Sequence, residues 1–120
     1  MDRDRFRRLV QRALDSLPPE FQQQLDNVEV VIGREPSPAD LDAAAAEDGD
    51  SLFGLYIGTP RTERSDYHLT LPDRIVIYQG ALERSFPPRD IPDQVRATVM
   101  HELAHHFGID DDRLRELGLD

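Results

Sequence analysis

Residues 99–118 read VMHELAHHFGIDDDRLRELG, and the way this stretch divides decides the architecture around it. Val95, Val99, Leu103 and Phe107 recur at the spacing of one helix face, with Met100 and Ala104 beside them. That stripe predicts a helix from about Pro92 to Phe107, mostly buried against a sheet. Proline suits the first helical position, Asp93 complements the positive helix end, and Gly108 suits a left-handed ending. A last short helix, DRLRELG, follows the acidic run of Asp110, Asp111 and Asp112 and ends near Gly118.

Within the longer helix, His101 and His105 stand about 40° apart on adjacent turns, so both imidazoles can face one metal ion. Glu102 lies about 100° from His101, too far round for the natural third ligand but near enough to reach a water on the metal. It is the expected general base. The chain contains four histidines and no cysteine, which leaves nitrogen and oxygen as the only donors for a transition metal. A catalytic zinc needs a third protein ligand and one open position for water. Gly108 lets the chain double back, bringing round the carboxylates of Asp110, Asp111 and Asp112, with Glu116 further on. The same acidic run also suits the cap of the last helix, since Asp is a favoured N-cap. His106 lies about 140° from His101, beside Val95 and Val99, and reads as a packed or supporting histidine. His101 and His105 should each pass their free ring nitrogen to a carboxylate or carbonyl.

Upstream, Phe6, Val10, Ala13, Leu14 and Leu17 recur at helical spacing in a first amphipathic helix that Pro18 and Pro19 stop. FQQQLDN, residues 21–27, adds one or two turns before VEVVIG, residues 28–33, a strand by its β-branched run. Residues 37–50 read as an exposed connection with one helical turn. SLFGLYIG, residues 51–58, and DRIVIYQG, residues 73–80, are two further strands, each closed by a glycine suited to a turn. Residues 59–72 form a long loop between them, with room for a short edge strand, and ALERSF, residues 81–86, a short helix.

At 120 residues the chain has room for one hydrophobic core, so residues 1–120 read as a single domain. Its net charge of -10 disfavours phosphate backbones. The basic cluster of Arg3, Arg5, Arg7, Arg8 and Arg12 is interleaved with acids and reads as a solvated helix face. The N-terminus lacks an uninterrupted apolar run, so no signal peptide or membrane span is expected and the default compartment is the cytoplasm.

The segment HELAHHFGIDDDRLRELG closely resembles the C-terminal signature of the small, acidic, bacterial zincin-like metallopeptidases of the minimal zincin fold. LFGLYIGTP, TERS and LPDRIVIYQG also look like that family, and the similarity spans roughly residues 28–118. The resemblance implies an α+β fold in which a small mixed β-sheet packs on two long helices. In the extended motif His-Glu-x-x-His-x-x-Gly-x-x-His/Asp, Asp111 takes the third-ligand position, ten residues after His101. By resemblance, then, zinc is held at His101, His105 and Asp111, with Glu102 as base. Larger zincins carry a methionine turn beneath the metal, whereas this chain has only Met1 and Met100. No tyrosine or histidine follows His106 to stabilise an oxyanion, which leaves Tyr56, Tyr67, His68, Tyr78, Arg61 or Arg64 as upstream candidates. Each of these taken alone reads more simply as packing or surface.

The expected activity is hydrolysis of a peptide or protein substrate, laid as an added strand along LFGLYIG or YHLTL. A metal-stabilised binding module is the alternative. A small metal-dependent ribonuclease is a third reading, disfavoured by the acidic charge and by Glu102 itself, which that pattern lacks.

Overall fold

The first helix, α1 (Arg3–Asp15), starts where the Asp2 carboxylate accepts from the Arg5 N–H at 2.7 Å, leaving Phe6, Val10 and Ala13 on its buried face. In this computed structural model the described residues are 1–25, 28–46, 53–58 and 73–118; the side chains of 43–46 and of Asp111 lie outside that description. Pro18 and Pro19 stop α1 as expected, and Pro19 opens the single turn of α2 (Pro19–Gln22). The predicted strand follows as β1 (Val28–Gly33).

The connection after β1 holds more helix than its sequence suggested. Ser37 and Asp40 cap each other: the Asp40 N–H donates to Ser37 Oγ at 3.1 Å, and the Ser37 N–H donates to Asp40 Oδ2 at 3.0 Å. This reciprocal box nucleates α3 (Pro38–Ala46), and the alanine run propagates it beyond one turn.

Two short strands complete the sheet, β2 (Gly54–Ile57) and β3 (Asp73–Tyr78). The order is β1-β3-β2, with β1 parallel to β3 and β2 antiparallel to it. The predicted third strand is shorter than its reading of residues 73–80, because Gln79 and Gly80 already belong to α4 (Gln79–Ser85). Gly80 is needed there for close approach: a Cβ would lie 2.6 Å from the Arg34 carbonyl, which accepts from the Ala81 N–H at 3.2 Å. On the far edge of the sheet the Arg3 guanidinium donates to the Ile32 carbonyl at 2.9 Å, occupying an edge group that would otherwise invite another strand.

A 3-10 turn (Pro88–Asp90) leads into α5 (Ile91–Phe107), one residue earlier than the sequence suggested. Its end has a specific geometry. Gly108 adopts φ 71° and ψ 33°; its N–H donates to the His105 carbonyl and the Ile109 N–H to the Ala104 carbonyl. That is a Schellman ending, which only glycine enters cheaply. The Asp110 carboxylate then accepts from the Arg113 N–H at 2.8 Å and caps α6 (Asp111–Glu116).

The two long helices, α1 and α5, pack on the same sheet face. Phe6, Val10, Ile75, Ile77, Val95, Val99 and Leu103 meet there with Tyr56, Val30 and Ile32. Each such fully buried aliphatic contributes roughly 1.5–3 kcal/mol. A smaller cluster of Leu55, Tyr78 and Ala81 lies on the opposite face. The molecule is thus α+β, a small mixed sheet on two long helices. No helix among the described residues is long and apolar enough to cross a membrane.

Candidate metal centre

Helix α5 brings His101 and His105 side by side, ring centroids 5.3 Å apart and planes at 79°, both half-buried. The 3.6-residue period turns the intervening Glu102 inward, and it is completely buried. Three of the four predicted site residues are therefore neighbours on one helix, as their spacing required. Asp111, the fourth, sits at the start of α6 after the Gly108 reversal, and its side chain lies outside the described residues. Among the described residues no three histidines, aspartates or glutamates form a group able to hold a metal. The other carboxylates considered as third ligands face partners on their own helix. Asp110 caps α6, Asp112 meets Arg115 Nη1 at 3.3 Å, and Glu116 meets Arg113 Nη1 at 3.1 Å.

Strand β2 lies against this part of α5. Gly54 comes so close that a Cβ would stand 2.8 Å from Thr98 Cγ2, 3.0 Å from Glu102 Cγ and 3.3 Å from Glu102 Oε2. Its missing side chain sets how near the strand approaches the glutamate. Two residues on, and so on the same sheet face, Tyr56 lays its ring against His105, centroids 6.0 Å apart and planes 12° from parallel. Among the described residues β2 forms an edge of the sheet, and its Ile57 is 47% exposed.

Behind the histidines lies a buried polar cluster that sequence reasoning found only in part. His106 is completely buried, as its place beside Val95 and Val99 predicted. Its Nδ1 faces Asp73 Oδ2 at 2.7 Å and its Nε2 faces the Gln24 carbonyl at 3.1 Å. A carbonyl only accepts, so Nε2 is the donor towards Gln24. The Tyr56 hydroxyl donates to the same Asp73 Oδ2 at 2.7 Å. Gly58, at φ 155°, closes over the carboxylate: a Cβ there would lie 2.5 Å from Asp73 Oδ1. The roles of Asp73, Gly54 and Gly58 were missed from sequence. An aspartate opening the apolar run RIVIY was a usable signal, because a strand disfavours Asp unless something binds it.

Tyr78 points the other way. Its hydroxyl donates to Asp40 Oδ2 at 2.9 Å, on the sheet face away from α5. Burial first, then the bond to Asp40 and the charges of Asp40 and Glu102, push its pKa well above the ordinary tyrosine value, so it stays a neutral donor. Asp40 is held below the usual carboxylate range chiefly by the Ser37 backbone N–H, which with the Tyr78 and Ser37 hydroxyls outweighs the opposing effect of burial. Of the upstream oxyanion candidates, Tyr56 and Tyr78 thus commit their single hydroxyl hydrogen to Asp73 and Asp40. Arg61, Arg64, Tyr67 and His68 lie outside the described residues, as does the expected loop at 59–72.

The fold resembles that of a conserved hypothetical protein from T. thermophilus, with a TM-score of 0.60 and 24% identity over 99% of this chain and 100% of that one. No protein of curated function matches. The model of the zincin-like metallopeptidases, in contrast, matches residues 25–119, a span that includes every element from β1 to α6. With the paired histidines, the inward glutamate and the glycine reversal all inside that span, the chain belongs to the zincin-like metallopeptidase family.

Proposed function

We propose that the protein is a zinc-dependent peptidase, with His101, His105 and Asp111 as ligands and Glu102 as general base. The observation that carries this is the placement of two half-buried imidazoles on successive turns of α5, with a buried glutamate between them in sequence and directly under β2. The donor set suits zinc: two neutral nitrogens at compatible spacing and, by motif, one carboxylate. Zinc bound there would polarise the scissile carbonyl and acidify the attacking water. Glu102 accepts that water's proton and returns it to the departing amine. Among the described residues β2 is an edge strand, the position at which an extended peptide adds to a sheet, and such pairing suits a substrate class broad in sequence.

Substituting Glu102→Gln keeps the carbonyl oxygen and the shape of the side chain while removing the base. We expect this variant to bind zinc as the wild type does and to lose at least about 100-fold in turnover on unfolded protein or a peptide library. Zinc-loaded wild type that cleaves nothing in such a library overturns the proposal. Complete burial of Glu102 favours one second reading, a metal-stabilised binding module without catalysis. Chelation separates the two: a structural ion leaves an unfolded apo protein, whereas a catalytic ion leaves a folded one.

A further inference from the structure

The cluster behind the histidines joins three elements that the chemistry needs held together. We propose that Tyr56 is a positioning residue for the metal site, fixing the plane of the His105 imidazole from the edge strand. This rests on the zinc reading above.

Tyr56 is 3% exposed, and both ends of its side chain are engaged. The ring lies nearly parallel to His105, at 6.0 Å and 12°, and meets His106 edge-on at 6.3 Å. The hydroxyl is tied to Asp73 Oδ2, the oxygen that also faces His106 Nδ1. Asp73 opens β3 and is 3% exposed, with Gly58 closed over it, so this anchor has little freedom to move. The tyrosine is consequently held at its far end by β3 and α5.

A ring fixed in this way limits the rotation of the imidazole beside it. A metal-ligating histidine binds well only when its ring plane points a nitrogen lone pair at the ion, and groups that orient ligating rings change metal affinity about 10–100-fold. The Asp73 carboxyl thus acts on both consecutive histidines: directly on His106, and through the phenol on His105. Because Tyr56 lies in β2, the same contact fixes the height of the proposed substrate edge over the metal ligands.

The test measures zinc affinity by competition with a chromophoric chelator and records the visible spectrum of the cobalt-substituted protein, for wild type, Tyr56→Phe and Tyr56→Leu. Tyr56→Phe keeps the ring in its pocket and removes only the bond to Asp73, which makes it the variant most apt to fold. Far-ultraviolet circular dichroism checks folding in both variants. We expect Tyr56→Leu to bind zinc about 10–100-fold more weakly and Tyr56→Phe to fall between it and wild type, with a shifted cobalt spectrum. Folded Tyr56→Phe that binds zinc as tightly as wild type, with an unchanged cobalt spectrum, overturns the proposal. Wild type that binds no zinc fails at the earlier step and overturns the peptidase reading together with this one, so the two failures are distinguishable.

Discussion

Gly108 shows how much of the site depends on one backbone conformation. Its φ of 71° lets two amide groups close the end of α5 and reverses the chain toward Asp111 within three residues. An alanine must adopt the same left-handed conformation, at a cost of about 1 kcal/mol. Gly108→Ala should lower the unfolding free energy measured by urea denaturation by that amount and also weaken zinc binding, since the segment carrying the proposed carboxylate ligand is disturbed with it. A variant with reduced stability and unaltered zinc affinity would show that the reversal serves only to end the helix. This residue was legible because left-handed endings leave a local mark, a glycine after the last apolar position of a helix. Asp73 was not, because its partners Tyr56 and His106 are 17 and 33 positions away in the chain. Only the folded sheet brings them within hydrogen-bonding distance.

Among the elements, β2 contributes the most to the site for its length. Four residues place Gly54 over Glu102 and Tyr56 over His105, an alternation that follows from the two-residue period of a strand. Gly54→Ala forces a methyl group into Thr98 and Glu102, so the strand must rise from α5. Overpacking of this kind costs roughly 1–3 kcal/mol, and displacement of the edge relative to the glutamate should lower kcat/KM about tenfold or more. Thermal unfolding and steady-state kinetics on one peptide report the two effects separately, and wild-type kinetics in this variant would remove β2 from the catalytic arrangement. The helices were the readable part of the sequence. The apolar stripes of α1 and α5 and the prolines and glycine bounding them mark their extents to within a few residues. α3 was underestimated because the sequence reading did not count Ser37 and Asp40 as a reciprocal cap, and the end of β3 was overrun because Gly80 looks like a turn glycine while serving as a contact point for Arg34.

For the molecule as a whole, pH acts through carboxylates whose folded environment favours the charged form. Asp40 is the clearest case, stabilised as an anion by Ser37 and Tyr78, and it ties α3 to the outer sheet face. A lowered folded pKa adds stability that is complete above the unfolded value, about 3.9, and is lost as pH falls through the folded one. Asp40→Asn should therefore have a lower urea midpoint than wild type at neutral pH, with the gap narrowing as pH drops below about 4. A gap that stays constant from neutral pH into the acid range would mean that the contribution of Asp40 does not depend on its charge.

Among the described residues the middle strand of the sheet pairs in parallel with a segment far away in the chain, Val28 with Asp73 and Gly33 with Tyr78, and β2 supplies the opposite edge. The β1–β3 pairing waits on the entropic closure of the long segment between Val28 and Asp73, whereas α5 can begin to coil on its own. The paired imidazoles can therefore come into proximity early during refolding, well before the tyrosine, the aspartate and the short edge strand arrive beside them.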